Sequence, residues 1–327
     1  MGAKIIGTGS YVPDKVLTNA DLEKMVETSD EWIKTRTGIE ERHIAAPDQA
    51  TSDLAYNAAV RALDMAGISG EELNGIIVAS VTPDHVFPNT ACILQKRLGS
   101  KGAFCFDLEA ACSGLLYSIE VARSLMTTNK NIKYMLIIGG EKLSAITDWS
   151  DRNTCVLFGD GAAAVILENC SEDDCSIVSS SLGADGDYTD ILCLPAGGSR
   201  NPASAETVAG HQHFIKMAGK DVFKLAVGAM VGACRKVLTD SGVDASQINW
   251  LVPHQANYRI LTAVAQRLDI TEEHVYVNVN RYGNTSAASI GICLDEMVRQ
   301  NLIKKGDYVL LTAFGGGLTW GAMLLKW

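Results

Sequence analysis

Residues 62–78 read ALDMAGISGEELNGIIV, and residues 237–252 read VLTDSGVDASQINWLV. Aligned on Gly67 and Gly242, 175 residues apart, the two stretches follow one plan. An amphipathic helix ends at glycine, a polar turn follows, and a buried strand begins just after Asn74 or Asn249. Glycine past a helix end is the expected left-handed cap, so one supersecondary unit is used twice. A second echo lies downstream. FGDG at 158–161 runs into AAAVIL, and FGGG at 314–317 runs into LTWGAMLL, each preceded by an apolar run (YMLIIGG from Tyr134, YVLLTA from Tyr308). The order helix, strand, helix, strand, turn, strand recurs in each part. This predicts a two-fold pseudo-symmetric α/β protein with halves 1–170 and 171–327.

The strands are continuous apolar runs rather than alternating ones, the pattern of sheets covered by helices on both faces. Helices are predicted over 19–35, 52–66, 89–98, 113–127, 219–241, 258–268 and 286–300, with 195–210 as a long irregular loop. At 327 residues, 47% hydrophobic and with seven prolines, the chain has ample material for a large core and is neither disordered nor collagen-like. A net charge of −10 argues against binding nucleic-acid phosphates. No apolar run approaches the ~18 residues of a membrane span. The opening residues MGAKII lack a signal peptide's apolar region, and Ile6 stands where a myristoylation motif wants Ser or Thr; the chain is expected to be soluble and cytoplasmic. Nine cysteines without paired short spacings read mostly as small buried hydrophobes. Cys170 and Cys175, the closest pair, have no histidine nearby, and no metal site is expected.

Three positions stand out chemically. Cys112 lies in FDLEAACSG (106–114), between a strand-like stretch and an amphipathic helix, surrounded by small residues. This is the setting of a sharp turn that presents a nucleophile, where a helix N-terminus favours thiolate and backbone amides can hold an oxyanion. A small core residue under a helix is the other reading. His254, in WLVPHQAN (250–257), ends a buried strand, where open α/β sheets place their sites; His43, His85, His211, His213 and His274 lie in polar surroundings and are expected to be exposed. Asn284, in NRYGNTSAAS (280–289), is either a turn residue or N-cap, or part of a site. Adding the 175-residue offset to Cys112 gives Ala287, so the Asn284 loop is the second-half counterpart of the Cys112 turn. Pseudo-symmetry would bring both turns to one place. The triplet Gly315–Gly317 carries no phosphate-loop pattern and offers either a tight turn or another oxyanion amide.

Together Ala111-Cys112, PHQAN (253–257), GNTS (283–286), FGGGLTWG (314–321), SDEWIKTRTGI (29–39) and Arg42-His43 resemble the β-ketoacyl-acyl carrier protein synthase III family, over essentially the whole chain. The resemblance implies a thiolase fold, two stacked halves in a five-layered αβαβα sandwich, and a Cys112–His254–Asn284 site. Cys112 would take an acyl group from acyl-CoA (acetyl-CoA expected) as a thioester. Malonyl-acyl carrier protein would then lose carbon dioxide and attack it, with His254 and Asn284 stabilising the enolate and the Cys112 and Gly316 amides the oxyanion. Trp32 and Arg152 would sandwich the coenzyme A adenine, with Thr28, Arg36 and Asn257 lining the tunnel. Phe87 would reach across a homodimer to close the acyl pocket, and Lys224, Arg259 and Arg267 would meet the acidic carrier protein. Coenzyme A enters as substrate; no cofactor is implied.

Two features depart from the family pattern. Leu318 replaces the common phenylalanine after the glycine triplet, and the 195–210 loop is longer than in some members, which bears on donor preference. A papain-like protease shares the Cys–His–Asn order and spacing but not the signature around its cysteine. Thiolases have a second cysteine, and elongating synthases a second histidine, where Asn284 stands. An HMG-CoA synthase would need a catalytic glutamate that the sequence does not place. A condensing enzyme for longer or branched donors is the main alternative, and a non-catalytic acyl-CoA binder a third.

Overall fold

A computed structural model describes residues 2–171 and 174–327; Met1, Glu172 and Asp173 lie outside it. In chain order the first part holds strands β1 (Gly2–Tyr11), β2 (Lys15–Thr18), β3 (Glu41–Ile44), β4 (Gly75–Ala79), β5 (Phe104–Leu108), β6 (Tyr134–Glu141) and β7 (Gly161–Cys170). Helices α1 (Asn19–Leu22), α2 (Asp30–Thr37), α3 (Thr51–Ala66), α4 (Thr90–Leu98) and α5 (Gly114–Thr128) lie among them. The second part holds β8 (Ile177–Ala184), β9 (Leu192–Cys193), β10 (Lys216–Met217), β11 (Trp250–Pro253), β12 (Tyr308–Gly315) and β13 (Thr319–Lys326). Its helices are α6 (Ala205–Ala209), α7 (Gly219–Ser241), α8 (Tyr258–Arg267), α9 (Val279–Tyr282) and α10 (Ser289–Arg299).

Two sheets carry the architecture, in the orders β1-β7-β6-β4-β5 and β11-β12-β13-β8. Read from the matching edge, the second repeats the first strand for strand. Its fifth member is reduced to one parallel bridge between Leu251 and Val275. The repeat seen in the sequence survives in detail. Gly67 and Gly242 cap α3 and α7 at φ 68° each. Asn74 Oδ1 accepts from the Tyr134 amide, and Asn249 Oδ1 from the Tyr308 amide, each tying a helix–strand turn to the neighbouring strand.

Because both faces of each sheet are covered, alternate residues of one strand enter different layers. Ile77, Ile137 and Val165 face inward with Leu311 and Met323 of the other sheet, around Leu116, Ile119 and Met126 of α5 and Ile290, Leu294 and Met297 of α10. Ile76, Leu136 and Ile166 face outward beneath Leu54, Ala58 and Ala62 of α3 and Leu94 of α4. Leu251, Leu310 and Leu324 do the same beneath Met230 and Val237 of α7 and Val264 of α8. The layers run helix, sheet, helix, sheet, helix, as expected.

Two expectations need correction. The helix predicted over 19–35 is two helices, α1 and α2. Thr18 and Ser29 each accept a first-turn amide with the hydroxyl, and a fresh N-cap at Ser29 starts a new helix rather than extending the old one. The 195–210 loop is partly helical. Ser204 caps α6, and the β9–β10 pair closes the excursion at its base.

Candidate active site

The turn after β5 presents Cys112. Ala111 takes a left-handed φ of 44°, a 3-10 turn spans Ala111–Ser113, and α5 begins at Gly114. The turn after α9 copies it 175 residues later: Ser286 has φ 48°, a 3-10 turn spans Ser286–Ala288, and α10 begins at Ser289. Glu109 Oε1 accepts from the Ala111 amide at 2.9 Å, and Asn284 Oδ1 accepts from the Ser286 amide at 2.8 Å. Each turn is seated on a strand of the other sheet. A Cβ on Gly315 would lie 2.7 Å from the Cys112 nitrogen, and one on Gly139 would lie 2.2 Å from the Ala287 oxygen. Only glycine permits these approaches, which bring the two turns together.

Cys112, His254 and Asn284 line one cavity, with Asn257 and Phe314. Cys112, Gly316 and Ser286 line a second cavity of about 380 Å³. Its wall is apolar, with Leu143, Phe158, Leu192 and Ile215. His254 is 3% exposed, held at the end of β11 by its amide donating to the Thr312 carbonyl. Its Nδ1 lies 2.6 Å from Ser289 Oγ. That oxygen also accepts from the Gln255 amide, and the arrangement in which Ser289 donates to Nδ1 leaves the ring proton on Nε2. Burial holds His254 down at about 3, so the imidazole is neutral. With its Oδ1 committed to the Ser286 amide, Asn284 keeps its Nδ2 donors for the cavity.

The thiolate expected at Cys112 is not the resting state. Burial pushes the thiol up to about 12, and the charge of buried Glu141 adds to this; the adjacent Ser286 hydroxyl and the Cys112 amide pull the other way. The helix N-terminus still favours the anion, but desolvation outweighs it. The site therefore rests with a neutral thiol and a neutral imidazole.

The remaining sites named from the sequence fall in three places. Trp32, on α2, has the Arg36 and Arg152 guanidinium carbons each 4.8 Å from its ring centroid. An intercalated base needs roughly 7 Å, two stacking contacts of ~3.5 Å, so Arg152, now also bonded to the Glu27 carbonyl, must swing away to admit one. Thr28 Oγ1 nearby is buried and unpartnered. Asn257 lines the catalytic cavity, but both ends of its amide are engaged, with the Arg36 carbonyl and the Arg259 amide. Lys224, Arg259 and Arg267 are exposed on α7 and α8, Arg259 lying over Phe223. Phe87 and Val86 are 85% and 92% exposed on the loop before α4.

Among the other histidines, His85, His211 and His274 are exposed as expected, but His43 and His213 are half-buried, bonded to the Pro13 carbonyl and the Thr207 hydroxyl. Of the nine free cysteines only Cys112, Cys155, Cys234 and Cys293 are buried, fewer than expected. Sequence reasoning passed over Ser286, Ser289 and Glu141. The two serines stand inside a motif it quoted, and an acid closing the apolar run of β6 was a visible signal for Glu141. Among the described residues no group of His, Cys, Asp and Glu could hold a metal ion, and no helix is long and apolar enough to cross a membrane.

Two family models match the chain: 3-oxoacyl-[acyl-carrier-protein (ACP)] synthase III at residues 106–186, and its C-terminal model at residues 238–327. The chain is 54% identical over 327 residues to β-ketoacyl-[acyl-carrier-protein] synthase III of Caldanaerobacter subterraneus subsp. tengcongensis, covering 100% of this chain and 98% of that protein. The chain belongs to the β-ketoacyl-acyl carrier protein synthase III family. The synthase III of Natranaerobius thermophilus is 52% identical, with 99% of both chains covered. The crystal structure of 3-oxoacyl-[acyl-carrier-protein] synthase III from Aquifex aeolicus VF5 superposes with a TM-score of 0.91 at 48% identity, over 100% of both chains. The five layers are thus the thiolase fold of the synthase III condensing acyltransferases.

Proposed function

We propose that the chain condenses an acyl-CoA primer with malonyl-acyl carrier protein, losing carbon dioxide, through a thioester on Cys112, and so initiates fatty acid synthesis. The observation that carries this reading is the convergence of Cys112, His254 and Asn284 on one cavity from opposite halves of the fold, 1–170 and 171–327. Cys112 attacks the acyl thioester, and the oxyanion is received by the Cys112 and Gly316 amides. Coenzyme A leaves along the Trp32 side. Malonyl thioester then enters, and as its carboxylate departs the enolate oxygen gathers charge. His254 Nε2–H and Asn284 Nδ2–H, both neutral donors, stabilise that charge with no acidic proton to quench the carbanion. The carbanion attacks the Cys112 thioester and frees the sulfur. All groups used belong to the chain, and coenzyme A is a substrate. Incubation with acetyl-CoA and malonyl-acyl carrier protein should yield 3-oxoacyl-carrier protein by mass spectrometry; no product with any acyl-CoA would remove the reading.

The apolar cavity of about 380 Å³ lined by Cys112 favours a second reading, in which longer or branched donors are used, since an acetyl group fills little of it. Intact-protein mass after exposure to a panel of acyl-CoAs decides between them. Phe87 and Val86, exposed as they are, fit burial against a second copy, with Phe87 closing the partner's acyl pocket. Light scattering should give a dimer, and a monomer at micromolar concentration would contradict this. The carrier protein would approach Lys224, Arg259 and Arg267, in a cytoplasmic setting. Trp32→Ala, which removes the stacking face, should raise KM for acyl-CoA about tenfold and leave kcat nearly unchanged, because adenine binding is shared by ground and transition states. An unaltered KM would place the adenine elsewhere.

A further inference from the structure

Resting on the acyl-transfer reading, one requirement is unmet: the proton of Cys112 needs somewhere to go. With Ser289 donating to Nδ1 and the ring proton on Nε2, His254 offers it no lone pair. Close enough for its charge to act on the thiol lies Glu141, the last residue of β6, with no exposed surface. Its Oε2 accepts from Thr82 Oγ1 at 2.6 Å and Ser80 Oγ at 3.1 Å, and both carboxylate oxygens lie within reach of the Val81 amide. Its Oε1 accepts from Ser286 Oγ at 3.0 Å. Ser286 and Cys112 line the same cavity, and the Ser286 hydroxyl favours the Cys112 thiolate. Ser286 is the counterpart of Ala111 in the repeated turn, with matching φ, so the hydroxyl is present in only one of the two turns.

We propose that Glu141, acting through the Ser286 hydroxyl, is the positioning residue that receives the Cys112 proton during acyl transfer. The S–H bond breaks as sulfur bonds to the acyl carbonyl carbon; the thiol proton moves to Ser286 Oγ while the hydroxyl proton moves to Glu141 Oε1. When the adduct collapses, the carbon–sulfur bond to coenzyme A breaks, and the departing thiolate takes one proton back by the same route. Glu141 ends as it began, and no other reactant is needed.

The electrostatics suit this. Burial raises Glu141 to about 7 against the pull of its four donors, placing it where a proton acceptor is most effective at neutral pH. The elements around it supply neutral hydroxyls and one amide. The charged groups facing the pair are Glu109 near the Cys112 turn, Lys142, whose ammonium is taken by the Ala46, Pro47 and Gln49 carbonyls, and Asp160, satisfied by the Ala45 and Ser144 amides.

Iodoacetamide addition read at the Cys112 peptide tests this without using acyl-CoA. In the unaltered protein the rate should rise as pH increases through about 7, as the carboxylate becomes available, and then level off. Glu141→Gln keeps the shape and an acceptor for Ser286 but cannot take a proton. It should lose that rise and react about tenfold or more slowly near pH 8. Ser286→Ala should behave likewise. Its left-handed φ is one that Ala111 already adopts, so this variant carries the test if the first does not fold. A purely structural role would alter the rate but keep the inflection. A folded variant of either kind that retains the inflection overturns the proposal. Acetyl-CoA transfer measured in parallel separates the two claims: an inflection in a protein that no acyl-CoA acylates defeats the synthase reading alone.

Discussion

Cys112→Ser is expected to abolish covalent capture of the acyl group, with no mass increase on exposure to acetyl-CoA and a fall in acyl transfer of roughly 10³-fold or more. The reason is specific to this site. The cysteine is already held as a neutral thiol, pushed up to about 12 by burial, and works only because sulfur is a strong nucleophile whose proton can be moved. A hydroxyl is a poorer nucleophile and holds its proton more tightly. With Ser289 donating to Nδ1 of His254, the ring proton sits on Nε2 and the site has no imidazole lone pair to help. The substitution leaves His254 and Asn284 in place, so malonyl decarboxylation without condensation should continue. Labelling that persists in the serine variant would shift the nucleophile to one of the other eight cysteines, of which Cys92 is exposed.

Much of this was legible in the residues because the duplication is written into local signals that depend on short-range geometry. The paired glycine caps and the glycine-fed strands specify the repeated unit, and the 175-residue offset aligns Asn284's loop with the Cys112 turn in the sequence alone. In the structure the offset holds for the left-handed residues, the 3-10 turns and the helix starts alike. What could not be read was the consequence of packing the copies together. The ionisation of Cys112 depends on how completely α5, β12 and the second turn exclude water, and no local pattern encodes that sum. A helix N-terminus favours thiolate by ~1 kcal/mol, which full burial exceeds.

Glu141 shows the same limit from the other side. An acid ending an apolar strand marks the position, but no local pattern says whether it meets solvent or is buried. Here the strand ends inside the molecule, because the 80–82 segment and the second turn close over it and supply its four donors. Likewise the extended helix predicted over 19–35 failed on a competition between periodicity and capping. Thr18 and Ser29 each satisfy first-turn amides, and two short capped helices replaced one long one.

His254→Ala and Asn284→Ala should each leave acyl-enzyme formation within about tenfold of the unaltered protein, yet lower decarboxylative condensation by roughly 10²–10³-fold. The two half-reactions place charge at different points. On the proposed mechanism, the oxyanion of acyl transfer faces the Cys112 and Gly316 amides, which neither substitution touches. In the proposed decarboxylation the charge develops on the malonyl thioester oxygen, with Nε2 of one residue and Nδ2 of the other as the donors. Neither donor titrates in the working range: His254 is held at about 3 by burial, and a carboxamide has no proton to lose. The condensation rate should therefore show no inflection from His254 between about pH 5 and 9, where an ordinary histidine would produce one. Because the two donors hold one oxygen, the double variant should lose less than the product of the single losses. Burst acylation followed by intact mass, alongside carbon dioxide release, separates the steps. A loss of acylation matching the loss of condensation would move these side chains from the enolate to the nucleophile. An inflection near pH 6.5 that persists in Glu141→Gln and disappears in His254→Ala would show that His254 acts as a charged or titrating group.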